Sequence, residues 1–261
     1  MAVYTVKANI QLNTTEGISG NMGNSIFTPY GRYHKSEGDT MSQTANKLEV
    51  EITKKVRMKY LLHIPNDYDK ESSMKWPLIL FLHGAGERGD DLELVKVHGI
   101  PMIAERDPSF PFITISPQCP EDSFWNAEQD GVMALVDEII ANYNVDPDRL
   151  YLTGLSMGGY GTWHLAAEYP GRFAAIAPIC GGGNLNRVHE LIGTPTWAFH
   201  GAKDDIIPIA EQQKMVDALR ENGGNVSFTI YPESNHNSWT ETYDNPELYS
   251  WFLGHSLTVR K

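Results

Sequence analysis

The sequence predicts an α/β fold, with a mostly parallel central sheet covered by helices on both faces. Three observations predict it. From residue 78 onward, apolar runs of four or five residues recur, the mark of strands buried on both faces. Segments with the 3.6-residue spacing of helices lie between those runs. The polar and glycine-bearing stretches fall just beyond the runs, at the carboxyl ends of the strands, where open sheets of this class build their sites.

In chain order, Tyr4, Val6, Ala8, Ile10 and Leu12 alternate with more polar neighbours, which is strand periodicity. Residues 13–46 are rich in Thr, Gly, Ser and Asn and show no period, so residues 1–46 read as an irregular N-terminal extension with one strand. Residues 47–261 form the main domain. Leu48, Val50 and Ile52 alternate again, and a second run covers 59–64 before Pro65; both are expected as antiparallel strands opening that domain. Buried strands are expected at 78–82, 112–115, 150–153, 173–177, 196–199 and 226–230. Val132, Leu135, Val136, Ile139, Ile140 and Tyr143 mark one face of a helix. Met215, Val216 and Leu219 mark another, stopped by Gly223-Gly224, and Leu248, Trp251 and Phe252 suggest a last one.

Composition excludes several classes of partner. The chain carries 33 Asp plus Glu against 21 Lys plus Arg, a formal charge of −12, with no basic run to meet a nucleic acid or an anionic membrane. The acidity reads as solubility. Two cysteines, Cys119 and Cys180, do not make a disulfide framework, and Cys180 ends an apolar run as a small buried residue. No stretch approaches the length of a membrane span. No basic segment followed by an apolar one opens the chain, so a cytoplasmic location is the default expectation; a secreted chain stripped of its leader would read the same. A homodimer is possible, and the oligomeric state is left open.

The most informative motif is Gly154-Leu155-Ser156-Met157-Gly158, between the apolar run 150–153 and a segment able to run on as a helix. A strand, a tight turn and a helix make the context in which a serine hydroxyl is exposed at the top of a sheet, and glycines are needed where a β-carbon would strike a neighbouring element. A serine hydroxyl becomes nucleophilic only when a base takes its proton and a carboxylate fixes the base's tautomer. After the serine come an acid-bearing loop, residues 200–208 with Asp204 and Asp205, and then residues 231–237 with His236. Each follows a predicted strand, and the chain order is serine, acid, histidine. An oxyanion needs backbone N–H groups; one is expected from Met157, the other from the loop His83-Gly84-Ala85-Gly86-Glu87-Arg88-Gly89. That loop lacks the Gly-Lys-Ser/Thr of a phosphate-binding loop, and His189-Glu190-Leu191-Ile192-Gly193 lacks the second histidine of a zinc-binding helix. Neither a cofactor nor a metal is expected.

Residues 83–89, Ser116-Pro117-Gln118-Cys119-Pro120, 154–159, 200–208 and 235–239 together resemble the α/β-hydrolase superfamily. They look most like its carboxylesterase and feruloyl-esterase-like branch, over about residues 48–255. The resemblance implies an α/β-hydrolase fold. It places the acid at Asp204 rather than Asp205, with Ser156 and His236 completing a triad, and the second oxyanion N–H at Ala85. Trp125 and Trp239 are candidates for lining the substrate pocket, and equally for the core. His83, His164 and His200 read as structural. Dienelactone-hydrolase relatives use a cysteine nucleophile, so Ser156 speaks against that branch. Too few residues lie between Cys180 and Thr196 for a cap domain, which predicts an open site. The function implied is a serine carboxylesterase acting on small-molecule esters with short acyl or aryl groups, acetyl and feruloyl esters of plant polysaccharide among them. The alternatives are a serine peptidase of the prolyl-oligopeptidase type and a non-catalytic binding protein on the same scaffold.

Overall fold

The computed structural model describes residues 3–6, 10–11, 47–48 and 52–259. The chain divides into a small unit, Val3–Lys55, and a large unit that includes Val56–Lys261. In the small unit β1 (Val3–Val6) pairs antiparallel with β4 (Ile52–Lys55), and β2 (Ile10–Gln11) with β3 (Lys47–Leu48). Apart from β1 and β2, the expected irregular extension over residues 1–46 lies outside the described residues. The two runs expected to open the main domain part company. β4 joins the small unit, and only β5 (Tyr60–His63) enters the main sheet. Alternation reports that a segment is half-buried; it carries no information about which strand it will pair with.

The main sheet adds β6 (Trp76–Leu82), β7 (Ile113–Pro117), β8 (Val145–Leu155), β9 (Ala175–Ile179), β10 (Thr196–Gly201) and β11 (Val226–Tyr231). Its order is β11-β10-β9-β8-β6-β7-β5; β5 runs antiparallel to β7 at one edge and every other pair is parallel. From β6 the chain moves to β7 on one side, and from β8 it moves to β9 on the other. The crevice between the carboxyl ends of β6 and β8 is therefore a topological switch point, the standard place for a ligand in such a sheet. β6 absorbs Pro77 through a register irregularity between Trp76 and Leu78, so the missing N–H costs no regular ladder bond.

Two apolar layers cover the sheet, and alternation along the strands sorts side chains between them. Leu78, Leu80 and Leu82 of β6 face a layer built with α2 (Gln129–Asn142), α3 (Met157–Glu168) and α4 (Ala210–Glu221). Ile79 and Phe81 face the opposite layer, with α1 (Gly99–Arg106), α5 (Trp239–Tyr243) and α6 (Pro246–Leu253). The expected helices are present, α1 and α5 being additions to that list. α4 ends at Asn222 with Gly223 at φ +81° and the Gly224 amide bonded to the Leu219 carbonyl, the glycine cap the sequence implied. At the start of α6, Asn245 accepts the Glu247 amide and Pro246 opens the first turn. The strand expected at 173–177 runs over Ala175–Ile179; Phe173 and Ala174 are buried just ahead of it, with the Ala174 amide bonded to the Leu150 carbonyl at 2.7 Å.

Candidate active site

β8 delivers the chain to Ser156 at the switch point, and α3 starts at the next residue. Ser156 takes φ 53°, ψ −115°, a conformation that costs an L-residue of order 1–3 kcal/mol and persists only where its surroundings enforce it. The enforcement is visible. The Ser156 N–H bonds to the Ile179 carbonyl at 3.0 Å and to Cys180 Sγ at 3.3 Å. A β-carbon on Gly154 would lie 2.4 Å from the Gly158 carbonyl oxygen, and one on Gly158 would lie 1.8 Å from that of Leu82. Strand, elbow and helix are packed backbone to backbone, so the two glycines are steric requirements.

His236 lies in the loop after β11. Its Nε2 is 3.0 Å from Ser156 Oγ and its Nδ1 is 2.8 Å from Asp204 Oδ2. With Nδ1–H donating to the carboxylate, Nε2 is left to accept the serine proton. The Asp204 side chain is fully buried after β10. Burial alone would raise its pKa, but the His236 hydrogen bond and the amides of Ile207 and Ile206, at 2.9 and 3.0 Å from Oδ1, hold it below the usual carboxylate value. Asp205 is exposed.

Buried His200 approaches the same carboxylate. Its Nε2 is 2.9 Å from the Ile207 carbonyl and 3.2 Å from Asp204 Oδ2. Two acceptors at one nitrogen assign the proton to Nε2, and burial lowers the pKa, so the ring is neutral at pH 7. Thus Asp204 Oδ2 faces both His236 and His200, while Oδ1 is taken by backbone amides.

The loop after β6 lies on the other side of the serine. A β-carbon on Gly84 would lie 3.7 Å from Ser156 Cβ, so this loop backs directly onto the nucleophile position. Ala85 opens a single 3₁₀ turn, Ala85–Glu87, and Met157 opens α3; the leading amide of a helical turn has no acceptor within it. His83 anchors the loop. Its Nδ1–H donates to the Gly84 carbonyl at 2.6 Å, its Nε2 accepts the Cys119 amide at 3.0 Å, and burial pushes its pKa down to about 4. Trp125 is 2% exposed and donates its indole N–H to the His83 carbonyl at 2.9 Å.

A cleft of about 410 Å³ opens beside Ser156. Met157, Tyr160, Gly161 and His164 of α3 line it at i, i+3, i+4 and i+7, one face of the helix. Phe124, Trp125 and Asn126 add a second wall, and Ile207 a third. Trp125 therefore belongs both to the core and to the cleft. Trp239 stands against His236, ring centroids 5.3 Å apart at 88°, and against His98 at 5.4 Å; the cleft lining does not include it.

The geometry thus unites Ser156, Asp204 and His236, and brings Ala85, Met157 and Trp125 to the same place. Sequence reasoning read His200 and His164 as structural and Cys180 as a small buried residue, and did not single out Tyr160; the structure sets His200 and Cys180 against the triad and Tyr160 and His164 on the cleft wall. The α3 pair was available, since both follow Ser156 at helical spacing. Among the described residues, Cys180, Asp204 and His236 place a thiol, a carboxylate and an imidazole within 4.8 Å of one another. The carboxylate and imidazole are bonded to each other, and burial pushes the Cys180 thiol up to about 12. No helix among the described residues is long and apolar enough to cross a membrane.

A model of the dienelactone hydrolase family matches residues 121–247, a stretch that contains Ser156, Asp204 and His236. The crystal structure of a thermostable esterase is 30% identical, covers 81% of this chain and 68% of its own, and superposes with a TM-score of 0.67. A bifunctional acetylxylan esterase/xylanase of Neocallimastix patriciarum is 26% identical over 122 residues, 46% of this chain and 17% of that protein. A probable feruloyl esterase C of Aspergillus terreus is 26% identical over 178 residues, 63% of this chain and 62% of that protein. Of the curated relatives, the chain spans as little as 12% and 22% of the length of two others. The family match falls on the branch that a serine at the elbow spoke against, which corrects that expectation. With the α/β sheet, its strained elbow and the likeness to the thermostable esterase, the chain belongs to the α/β-hydrolase superfamily; the dienelactone hydrolase model it is similar to spans a little under half of its length.

Proposed function

We propose that this protein is a serine carboxylesterase that cleaves short acyl or aryl esters through an acyl-enzyme. The carrying observation is the continuous line from Ser156 Oγ to His236 Nε2 at 3.0 Å and from His236 Nδ1 to Asp204 Oδ2 at 2.8 Å. Ser156 Oγ attacks the ester carbonyl while His236 Nε2 takes its proton. The negative charge that develops on the carbonyl oxygen is met by the backbone N–H groups of Ala85 and Met157. Collapse expels the alcohol, protonated by His236, and water returns along the same path to release the acid and restore Ser156. Asp204 stays ionised and holds the imidazole's tautomer.

The short link between β9 and β10 supports small soluble esters: it carries only the 3₁₀ stretch Leu185–Leu191, too little for a cap. The names of the acetylxylan and feruloyl esterases point the same way. Turnover of p-nitrophenyl acetate, butyrate and palmitate, beside a peptide p-nitroanilide, tests the reading. Acetate and butyrate are expected to outrun palmitate, whose distal methylenes overrun the cleft and gain none of the roughly 0.8 kcal/mol that each buried methylene provides. Faster cleavage of the anilide than of every ester would overturn the esterase assignment in favour of a peptidase.

A further inference from the structure

The two acceptors that hold the Ser156 amide, the Ile179 carbonyl and Cys180 Sγ, both sit where the chain leaves β9, at residues 178–181. That segment is itself strained. Among the described residues, Ser156 and Cys180 are the non-glycine residues with positive φ, at 53° and 39°, so one strained residue rests on another. The same segment backs onto the start of α3: a β-carbon on Gly159 would lie 2.2 Å from the Ile179 carbonyl oxygen. In packing this close, a shift of residues 178–181 carries the elbow and the first turn of α3 with it.

Strain of this kind persists only where the surroundings over-determine it. Gln212, in the first turn of α4, is fully buried and reaches this segment. Its Oε1 accepts the Gly181 amide at 3.0 Å, and its Nε2 donates to the carbonyls of Pro178 at 2.9 Å and Phe199 at 3.0 Å. The Phe199 carbonyl also accepts the Cys180 amide, at 2.9 Å. One carboxamide thus grips Cys180 from both sides and ties it to β10, with both of its donors used. A buried amide is costly unless it is paired, and an aliphatic side chain would cover the sheet without that cost. Gln212 does not line the cleft, so any effect on the chemistry passes through the backbone it holds.

Resting on the esterase reading above, we infer that Gln212 is a positioning residue for the nucleophile: by fixing residues 178–181 it sets Ser156 Oγ against His236 and aims the Met157 amide at the reacting carbonyl. Without the carboxamide the Gly181 amide and the Pro178 carbonyl lose their partner, and the strained segment is free to relax. A misplacement of 1 Å at reacting atoms costs about 10²-fold, so a shift of a fraction of that is expected to cost about tenfold in kcat. The cleft walls keep their side chains, so KM should stay within a factor of about two.

The test measures kcat and KM for p-nitrophenyl acetate, the rate at which a fluorophosphonate labels Ser156, and Tm. Gln212→Met keeps the side chain's length and removes all three hydrogen bonds. Leu219→Ala is the comparison, a fully buried residue two turns further along the same helix. Both variants should lower Tm. Leu219→Ala should leave kcat and labelling per folded enzyme unchanged, whereas Gln212→Met should slow each about tenfold at near-constant KM. Gln212→Glu, which keeps an acceptor for the Gly181 amide, should fall between wild type and Gln212→Met, and it carries the test if Gln212→Met does not fold. Gln212 variants that label and turn over at the wild-type rate, or that raise KM with kcat unchanged, overturn the inference while leaving the esterase reading intact. A wild-type enzyme that neither takes the label nor turns over the ester removes the esterase reading itself, and this inference with it.

Discussion

The Trp125 indole donates a 2.9 Å hydrogen bond to the His83 carbonyl, with the two rings edge to face at 4.9 Å. His83 stands two residues before Ala85, the proposed oxyanion donor, so a tryptophan that lines the cleft also holds the loop that would meet the transition state. Trp125→Phe keeps most of the buried area and removes the donor. An unpaired buried carbonyl costs about 1–3 kcal/mol, and in a domain of this size each kcal/mol moves Tm by about 2–4 °C. If the loop is displaced as well, kcat should fall about tenfold to a hundredfold. A lower Tm with unchanged kcat would make Trp125 a core residue alone.

Ser156→Ala is expected to lower kcat by on the order of 10⁶ without unfolding the protein. A variant retaining a tenth of the esterase activity would remove Ser156 from the nucleophile's role.

Asp204 and Asp205 are neighbours with opposite surroundings, one fully buried on His236 and the other exposed. Asp204→Asn should cost about 10⁴ in kcat through the wrong histidine tautomer. Asp205→Asn should leave kcat within a factor of about two, as surface changes usually do. Kinetics of the two variants side by side check this, and the reverse ranking would refute it.

His200 tests whether the acid needs a second donor. His200→Phe fills the volume but offers no N–H to Asp204 Oδ2 or to the Ile207 carbonyl. We expect a fall in kcat of about tenfold, the loss of one hydrogen bond to a charged group, with a shifted acid limb in the pH–rate profile. A variant whose pH profile overlays that of the wild type would show His200 to be packing only.

Stability should fall on mild acidification. Burial holds His83 at about 4 in the folded state against the ordinary imidazole value of about 6.5, so between those values the unfolded chain binds the extra proton. Its contribution is present in full above pH 6.5 and is lost as pH falls to 4, amounting to about 3 kcal/mol at 1.36 kcal/mol per pKa unit. His63, His164 and His200 are displaced in the same direction and add to the slope. Urea unfolding at pH 7 and pH 5 measures it. His83→Gln, able to bond both the Gly84 carbonyl and the Cys119 amide, should flatten the dependence, and an unaltered slope would locate the titration elsewhere.

Much of this molecule was legible from its residues alone. Apolar runs separated by helical spacing determined the α/β class, and Gly154-Leu155-Ser156-Met157-Gly158 between a strand and a helix determined where a nucleophile would be exposed. Those features are local, because strand burial, helix periodicity and the steric demand for glycine act over a few residues. The pairing of β4 with β1 rather than within the main sheet was decided by the tertiary structure. So were the approach of His200 to Asp204 and the delivery of Ile207 to the cleft by the loop that holds the acid, whereas the resemblance already placed that acid at Asp204, the residue found against His236. Ser156 and His236 are 80 residues apart in sequence and 3.0 Å apart in space. What closes that gap is the order of strands in the sheet, a sum of many long-range packing choices that no local pattern records.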